Sequence, residues 1–391
     1  MGSLVVSDAL PENFNLGDHP SRTASMARKL KSDKWLFYAT LALLSASLVM
    51  VYSGSAVLAP DGGTAASVYL FRQVLWLMLG SAVLAITMRI DYRVFKHPAV
   101  VCTALAVTGA ALVAVLFGRE VGGANRWFAV AGVGIQPSEL AKVAVIIFTA
   151  MLLERRLERI DDPIYALFPI GMVTAIAAGL ILLQPDYGTA LTVIAIVSAM
   201  VYTAGISYRY VVLGFLILAP TLFLVLASAP YRWRRLLAFL DPWEDPLGAG
   251  WQTIQSLIAV GSGGVFGQGL MAGVQKLNYL PEPHTDFIFA VIAEETGLIG
   301  TTLTLVCFAV ITWRGLRISR YAPDRFGALL ALGLTTMVAL QAYINMSVVL
   351  ALLPTKGIPL PFVSAGGSSL LICLLGMGML LNISQYASAE T

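Results

Sequence analysis

Ten apolar runs, near residues 35–55, 68–88, 98–117, 138–153, 165–183, 188–204, 211–228, 286–312, 326–350 and 367–384, constrain this chain more than any other feature. Each approaches the roughly 20 helical residues that cross a hydrocarbon core of about 30 Å. Backbone N–H and C=O groups find no water in that core and must pair within the segment, so runs of this length span it as helices. The expected fold class is all-α: a polytopic membrane helix bundle of about ten transmembrane helices, with a long outward-facing loop between helices 7 and 8. Composition agrees, with 58% hydrophobic and 12% charged residues in 391. A chain so poor in charge needs lipid as its solvent.

Charge placement orients the bundle, because Lys and Arg accumulate in short cytoplasmic loops. With both termini inside, those loops hold Arg28, Lys29, Lys31, Arg89, Arg93, Lys96, Arg155, Arg156, Arg159, Arg314, Arg317 and Arg320, among others. The formal net charge of +3 is uninformative as a total and does not suggest nucleic acid as a partner. The minority on the outer side, which includes Arg126, Lys142, Arg232, Arg235, Lys276 and Lys356, lies close to the sequence motifs and marks a candidate anion site. Residues 1–34 read as a mobile cytoplasmic tail, without a cleaved signal peptide. Residues 35–385 read as one transmembrane domain, including a large extracytoplasmic loop at 229–285, and 386–391 as a short cytoplasmic tail. Cys102, Cys307 and Cys373 all fall in apolar runs, where they read as packing residues.

Three outward segments carry the remaining information. Residues 118–137 and 229–285 are too long for simple connections. The second is rich in Trp, Phe, Leu and Ile, so it should fold onto the bundle, with a helix around 250–260. The third, Leu353–Ser369, is punctuated by Pro354, Pro359 and Pro361 and should line a cavity, with Ser368 or Ser369 capping the last helix. The Gly-rich run from Gly261 to Gly269 lacks the Lys-Ser/Thr ending of a phosphate loop and reads as a flexible turn.

Ionisable residues at membrane depth are costly and therefore candidates for function. Glu139 and Lys142, spaced i, i+3, are expected to pair, either as a structural ion pair or as part of a site. Glu294 and Glu295 are expected to pair with a neighbouring helix. His284-Thr285-Asp286 places a carboxylate at a helix start beside an imidazole. The local sequence allows Asp286 to be either a general base or an ordinary cap.

The ordered motifs GGANRWF (122–128), GIQPSELAK (134–142), QPDYGTA (184–190), VQKLNYLPEPHTDFIFAVIAEE (274–295) and LPTKGIPLPFVSAGGSSLL (353–371) resemble the SEDS family of shape, elongation, division and sporulation proteins, over about residues 35–385. VQKLNYLPEPHTDF and LPTKG are most similar to its division-specific branch. The resemblance implies a peptidoglycan glycosyltransferase that joins lipid II units into β-1,4 glycan strands on the outer face of the inner membrane during septal synthesis. An elongation polymerase, a lipid II flippase and a non-catalytic scaffold are the alternatives. It implies Asp286 as the catalytic base. Arg126, Lys142, Arg232 and Arg235 would hold diphosphate, with Trp127 lining the groove. Glu139, Asp186, Glu282, His284, Lys356 and Ser368 complete the expected substrate-binding set. It also implies a divalent cation, Mg²⁺ or Mn²⁺, a class B penicillin-binding transpeptidase as partner, and divisome regulatory proteins. Where most members of the family carry Tyr, this sequence has Ala365, so no phenolic contact carries over.

Overall fold

The computed structural model describes residues 32–55, 64–118, 125–130, 133–159, 162–227, 230–277 and 279–387. The expected amino-terminal tail therefore lies outside the described residues up to position 31, and the carboxy-terminal tail from 388. Every apolar run is helical: α1 Lys34–Ser55, α2 Thr64–Thr87, α3 Pro98–Leu116, α4 Pro137–Arg156, α5 Phe168–Leu183, α6 Tyr187–Thr203 and α7 Tyr208–Ala227 come before the long loop. That loop holds α8 Pro230–Leu240 and α9 Trp251–Gly263; α10 Ile288–Tyr321, α11 Arg325–Val349 and α12 Gly367–Ser384 follow it.

Among the described residues, seven helices are long and apolar enough to span a membrane on those criteria alone. Of the ten helices expected to span, α4, with charges at both ends, the 17-residue α6, and α7 fall outside that count. One element was not expected from the sequence. A two-stranded antiparallel hairpin, β1 Phe128–Val130 and β2 Val133–Ile135, pairs Phe128 with Ile135 inside the outward segment before α4.

Burial sorts the helices into centre and rim. In α12 and α11, 83% and 61% of the most apolar stretch is buried, against 17% in α2 and 22% in α3. The outer helices turn Phe71, Met78, Leu79 and Val107 outward, where lipid is their solvent. Small residues let the helices approach closely. A Cβ at Gly378 of α12 would lie 1.9 Å from Thr87 Oγ1 of α2, and one at Gly333 of α11 would lie 2.6 Å from Ile146 Cγ2 of α4. Cys307 and Cys373 are buried, but Cys102 is exposed, so the packing role expected for it does not hold. Its position on α3 faces away from the bundle.

Two expectations about backbone need correction. The eighth apolar run is not one uninterrupted helix, because α10 breaks at Gly297 (φ 65°, ψ −158°). The run from Gly261 to Gly269 is not a flexible turn, because it repairs that break. Gly267 and Gly269 adopt positive φ and bring the chain alongside α10, where Gln268 and Gly269 donate to Glu294 O and Glu295 O at 3.0 Å each. In return, Leu298 and Ile299 donate to Gly264 O and Val265 O at 2.9 and 3.3 Å. Groups freed by the break would otherwise be orphaned in an apolar surrounding, at a cost comparable to lost hydrogen bonds.

Candidate functional site

Asp286 stands two residues before α10, at the mouth of the bundle. The cap position of that helix is Phe287, and no side chain caps it, which removes the capping role that the local sequence left open. Instead, the carboxylate faces the LPTKG segment, where a Cβ at Gly357 would lie 2.6 Å from Asp286 Oδ2. A side chain there would have to displace the carboxylate. Asn345, on the last turns of α11, fixes the arrangement by donating to Asp286 O at 2.7 Å and Ile358 O at 2.8 Å. Asn345 was not among the residues expected at the site. Its signal was present in the sequence: a buried amide in a largely apolar run needs partners.

Burial, with Glu282 and Asp186 adding to it, pushes the Asp286 carboxyl up to about 6, against the opposing pull of Arg126. Burial also lowers the Lys356 ammonium, which Asp186 partly restores. The His284 imidazole is lowered by burial, with Glu282 opposing; its Nε2 lies 3.9 Å from Glu282 Oε2 and its ring meets Tyr69 edge-on. Six expected site residues, Arg126, Asp186, Glu282, His284, Asp286 and Lys356, thus gather at one end of the bundle. Opposite charges around a carboxyl held near neutrality are characteristic of sites that move protons.

Several of these side chains also have structural partners. Arg126 donates to Gln184 O at 2.8 Å and Pro185 O at 2.6 Å, closing the carboxy-terminal end of α5. Asp186 caps α6 through Thr189 N at 3.2 Å and accepts from Gln136 Nε2 at 3.1 Å. Trp127 lies against Gly134 across the hairpin, half-buried beside the site.

The other expected residues fall elsewhere. Glu139 and Lys142 form the expected ion pair at 2.8 Å, with side chains 3% and 1% exposed. There α4 packs in the centre of the bundle, and Glu139 takes the Lys142 ammonium. Ser368 and Ser369 lie inside the first turn of α12, whose cap is Gly366, so neither serves as cap. Ser368 Oγ is buried and has no hydrogen-bond partner among the described residues. Arg235 lines a separate cleft of about 760 Å³ with Arg234, Asp245, Trp251, Gln252 and Pro281. Arg232 lies on α8, and its side chain is outside the described part of the structure.

The proline-punctuated segment is held as expected of non-helical backbone at this depth. Ile358, Leu360, Phe362 and Val363 are buried, and Ser364 Oγ donates to Thr285 O at 2.6 Å. Ala365 N donates to His284 O at 2.9 Å. That contact uses backbone alone, so the segment keeps its place without the family's Tyr.

Comparison with known proteins agrees with this geometry. The model of the FtsW, RodA and SpoVE family, described as "Cell cycle protein", matches residues 34–389. A probable peptidoglycan glycosyltransferase FtsW from Trichlorobacter lovleyi is 42% identical over 91% of this chain and 94% of its own length. Stage V sporulation protein E of Bacillus subtilis is also 42% identical, over 92% of this chain and 99% of its own. A solved structure reported for the coordination of polymerization and crosslinking by a peptidoglycan synthase complex superposes with a TM-score of 0.74. It shares 32% identity and covers 90% of this chain and 97% of that one. A match across nearly the whole described bundle, motifs and site included, means that the chain belongs to the FtsW, RodA and SpoVE family of cell-cycle proteins.

Proposed function

We propose that this protein, a peptidoglycan glycosyltransferase, polymerises lipid II with Asp286 as the general base. The observation that carries the reading is a half-buried carboxyl with no capping role, facing Arg126 and with its pKa raised to about 6. Such a group is ionised at neutral pH yet basic enough to accept a proton in the transition state. Asp286 takes the proton of the acceptor sugar's 4-hydroxyl as that oxygen attacks the donor's anomeric carbon. The C1–O4 bond forms while the bond from C1 to the diphosphate oxygen breaks. Undecaprenyl diphosphate leaves with the electron pair, and the linkage inverts from α to β. Arg126 and Lys356 stand where the leaving diphosphate gathers charge, and preorganised cations there stabilise it without reorganisation.

The expected Mg²⁺ or Mn²⁺ would be held by one or two carboxylates together with the substrate's diphosphate. Among the described residues, no three His, Cys, Asp or Glu side chains converge to hold a metal ion.

The protein is an integral membrane protein, and the reading places the Asp286 end of the bundle at the outer face of the bacterial inner membrane, with both termini cytoplasmic. A class B penicillin-binding transpeptidase and divisome regulators are the expected partners, supported by the likeness to a synthase complex that couples polymerization to crosslinking. Identity to proteins called FtsW supports a division role, so a fluorescent fusion should gather at midcell; uniform sidewall patches would point to elongation instead. The test of the activity is lipid II polymerisation by purified protein with a transpeptidase blocked in any glycosyltransferase of its own. Glycan chains from wild type and none from Asp286→Ala support the reading. Chains from both remove Asp286 as the base and leave Glu282 or Asp186.

A further inference from the structure

Lys276 was marked by its sequence position as an outer cation, but it does not face the site. Its side chain is 3% exposed, and Nζ donates to Glu295 Oε1 at 2.6 Å and to Ser53 Oγ at 2.8 Å. Ser53 in turn donates to the same Glu295 oxygen at 2.5 Å. The second oxygen of Glu295 accepts Met271 N at 3.0 Å. The adjacent Glu294 accepts Val274 N at 2.7 Å and Gln275 N at 3.1 Å. Two carboxylates on the first turns of α10 therefore grip the chain at 271–276, and the ion pair closes residues 276–295 into a loop that carries Asp286.

The end of α1 grips the same loop twice. Ser53 sits within the ion pair, and a Cβ on its neighbour Gly54 would lie 3.3 Å from both Cα and Cβ of His284. Inside the loop, Leu280 N donates to Gln275 O at 2.9 Å and Phe287 N donates to Glu282 O at 3.4 Å. Trp251 Nε1 holds Tyr279 O at 2.8 Å. Closing a short loop removes most of the freedom of its interior, and a buried, mutually satisfied network is the stiffest polar closure available.

We infer that Ser53, Lys276 and Glu295 form a latch between α1 and α10 that positions Asp286 for proton transfer. The inference rests on Asp286 being the base; the three residues act through the loop and touch no reacting atom. A general base must stand within hydrogen-bond reach of its proton, and a misplacement of about 1 Å costs on the order of 100-fold in rate.

The test compares the full-length wild type with Lys276→Met and with the double variant Lys276→Gln/Glu295→Gln, which replaces the ion pair by a neutral hydrogen bond. For Lys276→Met, amides at 279–287 should exchange with deuterium at least about 10-fold faster while those of α11 keep their rates. Its kcat should fall about 10- to 100-fold, in line with the misplacement cost. KM for lipid II should stay within about twofold, and the acid limb of the pH–rate profile should move, because the surroundings of Asp286 change. The double variant should recover most of the rate and the wild-type limb. Unchanged exchange at 279–287 would overturn the latch. So would faster exchange with an unmoved rate and limb, or a rate lost only in proportion to folded protein by thermal melting. Failure of the base reading shows separately, as activity retained by Asp286→Asn, and in that case the exchange measurement still decides whether the latch holds the loop.

Discussion

Replacing Asp286 by Asn should abolish polymerisation and stabilise the protein at once. The carboxyl gives up its proton near 3.8 in the unfolded chain and at about 6 in the fold, chiefly because burial penalises the charge and because Glu282 and Asp186 add repulsion. Between those values the folded state binds more protons than the unfolded one, so stability falls as pH rises through the window. The difference corresponds to about 3 kcal/mol as an upper figure, part of which the solvent at the mouth of the bundle screens. Asn keeps the shape without the charge. In melting experiments on detergent-solubilised protein, Asp286→Asn should unfold a few degrees above wild type at pH 7.5, and the gap should close as pH approaches 4. On lipid II, the same variant should lose about 10²- to 10⁴-fold in rate, the usual contribution of general-base catalysis. Wild-type kcat/KM should fall tenfold per pH unit below about 6. An Asn variant that melts below wild type at pH 7.5, or by the same margin at both pH values, would refute the argument that this carboxylate is held against its own solvation.

Other substitutions probe the surrounding structure. Arg126→Lys keeps the positive charge but loses the fork that binds Gln184 O and Pro185 O; since planar bidentate geometry is lost, we expect a raised KM for lipid II and a lower melting temperature, and an unchanged KM would remove Arg126 from the substrate contacts. Lys142→Met strands the Glu139 carboxylate in the bundle, where breaking one side of a buried pair costs about 3–5 kcal/mol. The double variant Glu139→Gln/Lys142→Met should regain much of that by melting, and equal losses in both would show that packing matters more than charge. Gly267→Val puts a Cβ 2.1 Å from Glu295 O at φ +80°. It should destabilise by several kcal/mol, in the range reserved for backbone strain in a packed interior, and a variant that melts like wild type would contradict the repair of the α10 break.

Much of the architecture was legible in the chain because lipid imposes a simple rule. An apolar run long enough to span must be helical, so ten runs gave ten helices at nearly the expected boundaries, and the i, i+3 spacing of Glu139 and Lys142 gave their ion pair. The motif around His284 and Asp286 pointed to the site, although its local sequence could not distinguish a cap from a base. That choice depended on which residue the backbone presented to the helix end, and the fold assigned it to Phe287. The same ambiguity misled the reading of Ser368, whose hydroxyl lies inside a helix that begins at Gly366.

What the sequence by itself determined was the set of helices and the identity of the charged residues near one end, since hydropathy and charge are properties of individual residues and short windows. Only the tertiary structure decided which of those charges share a site. Lys142 and Lys276 are as cationic in sequence as Arg126 and Lys356, yet two are consumed by buried carboxylates, while Arg126 acts on Asp286 and Lys356 pairs electrostatically with Asp186. The break at Gly297 and its repair by the run from Gly261 to Gly269 were equally invisible, because a glycine tolerates both a helix and a break, and the choice between them was made by hydrogen bonds between segments about 30 residues apart.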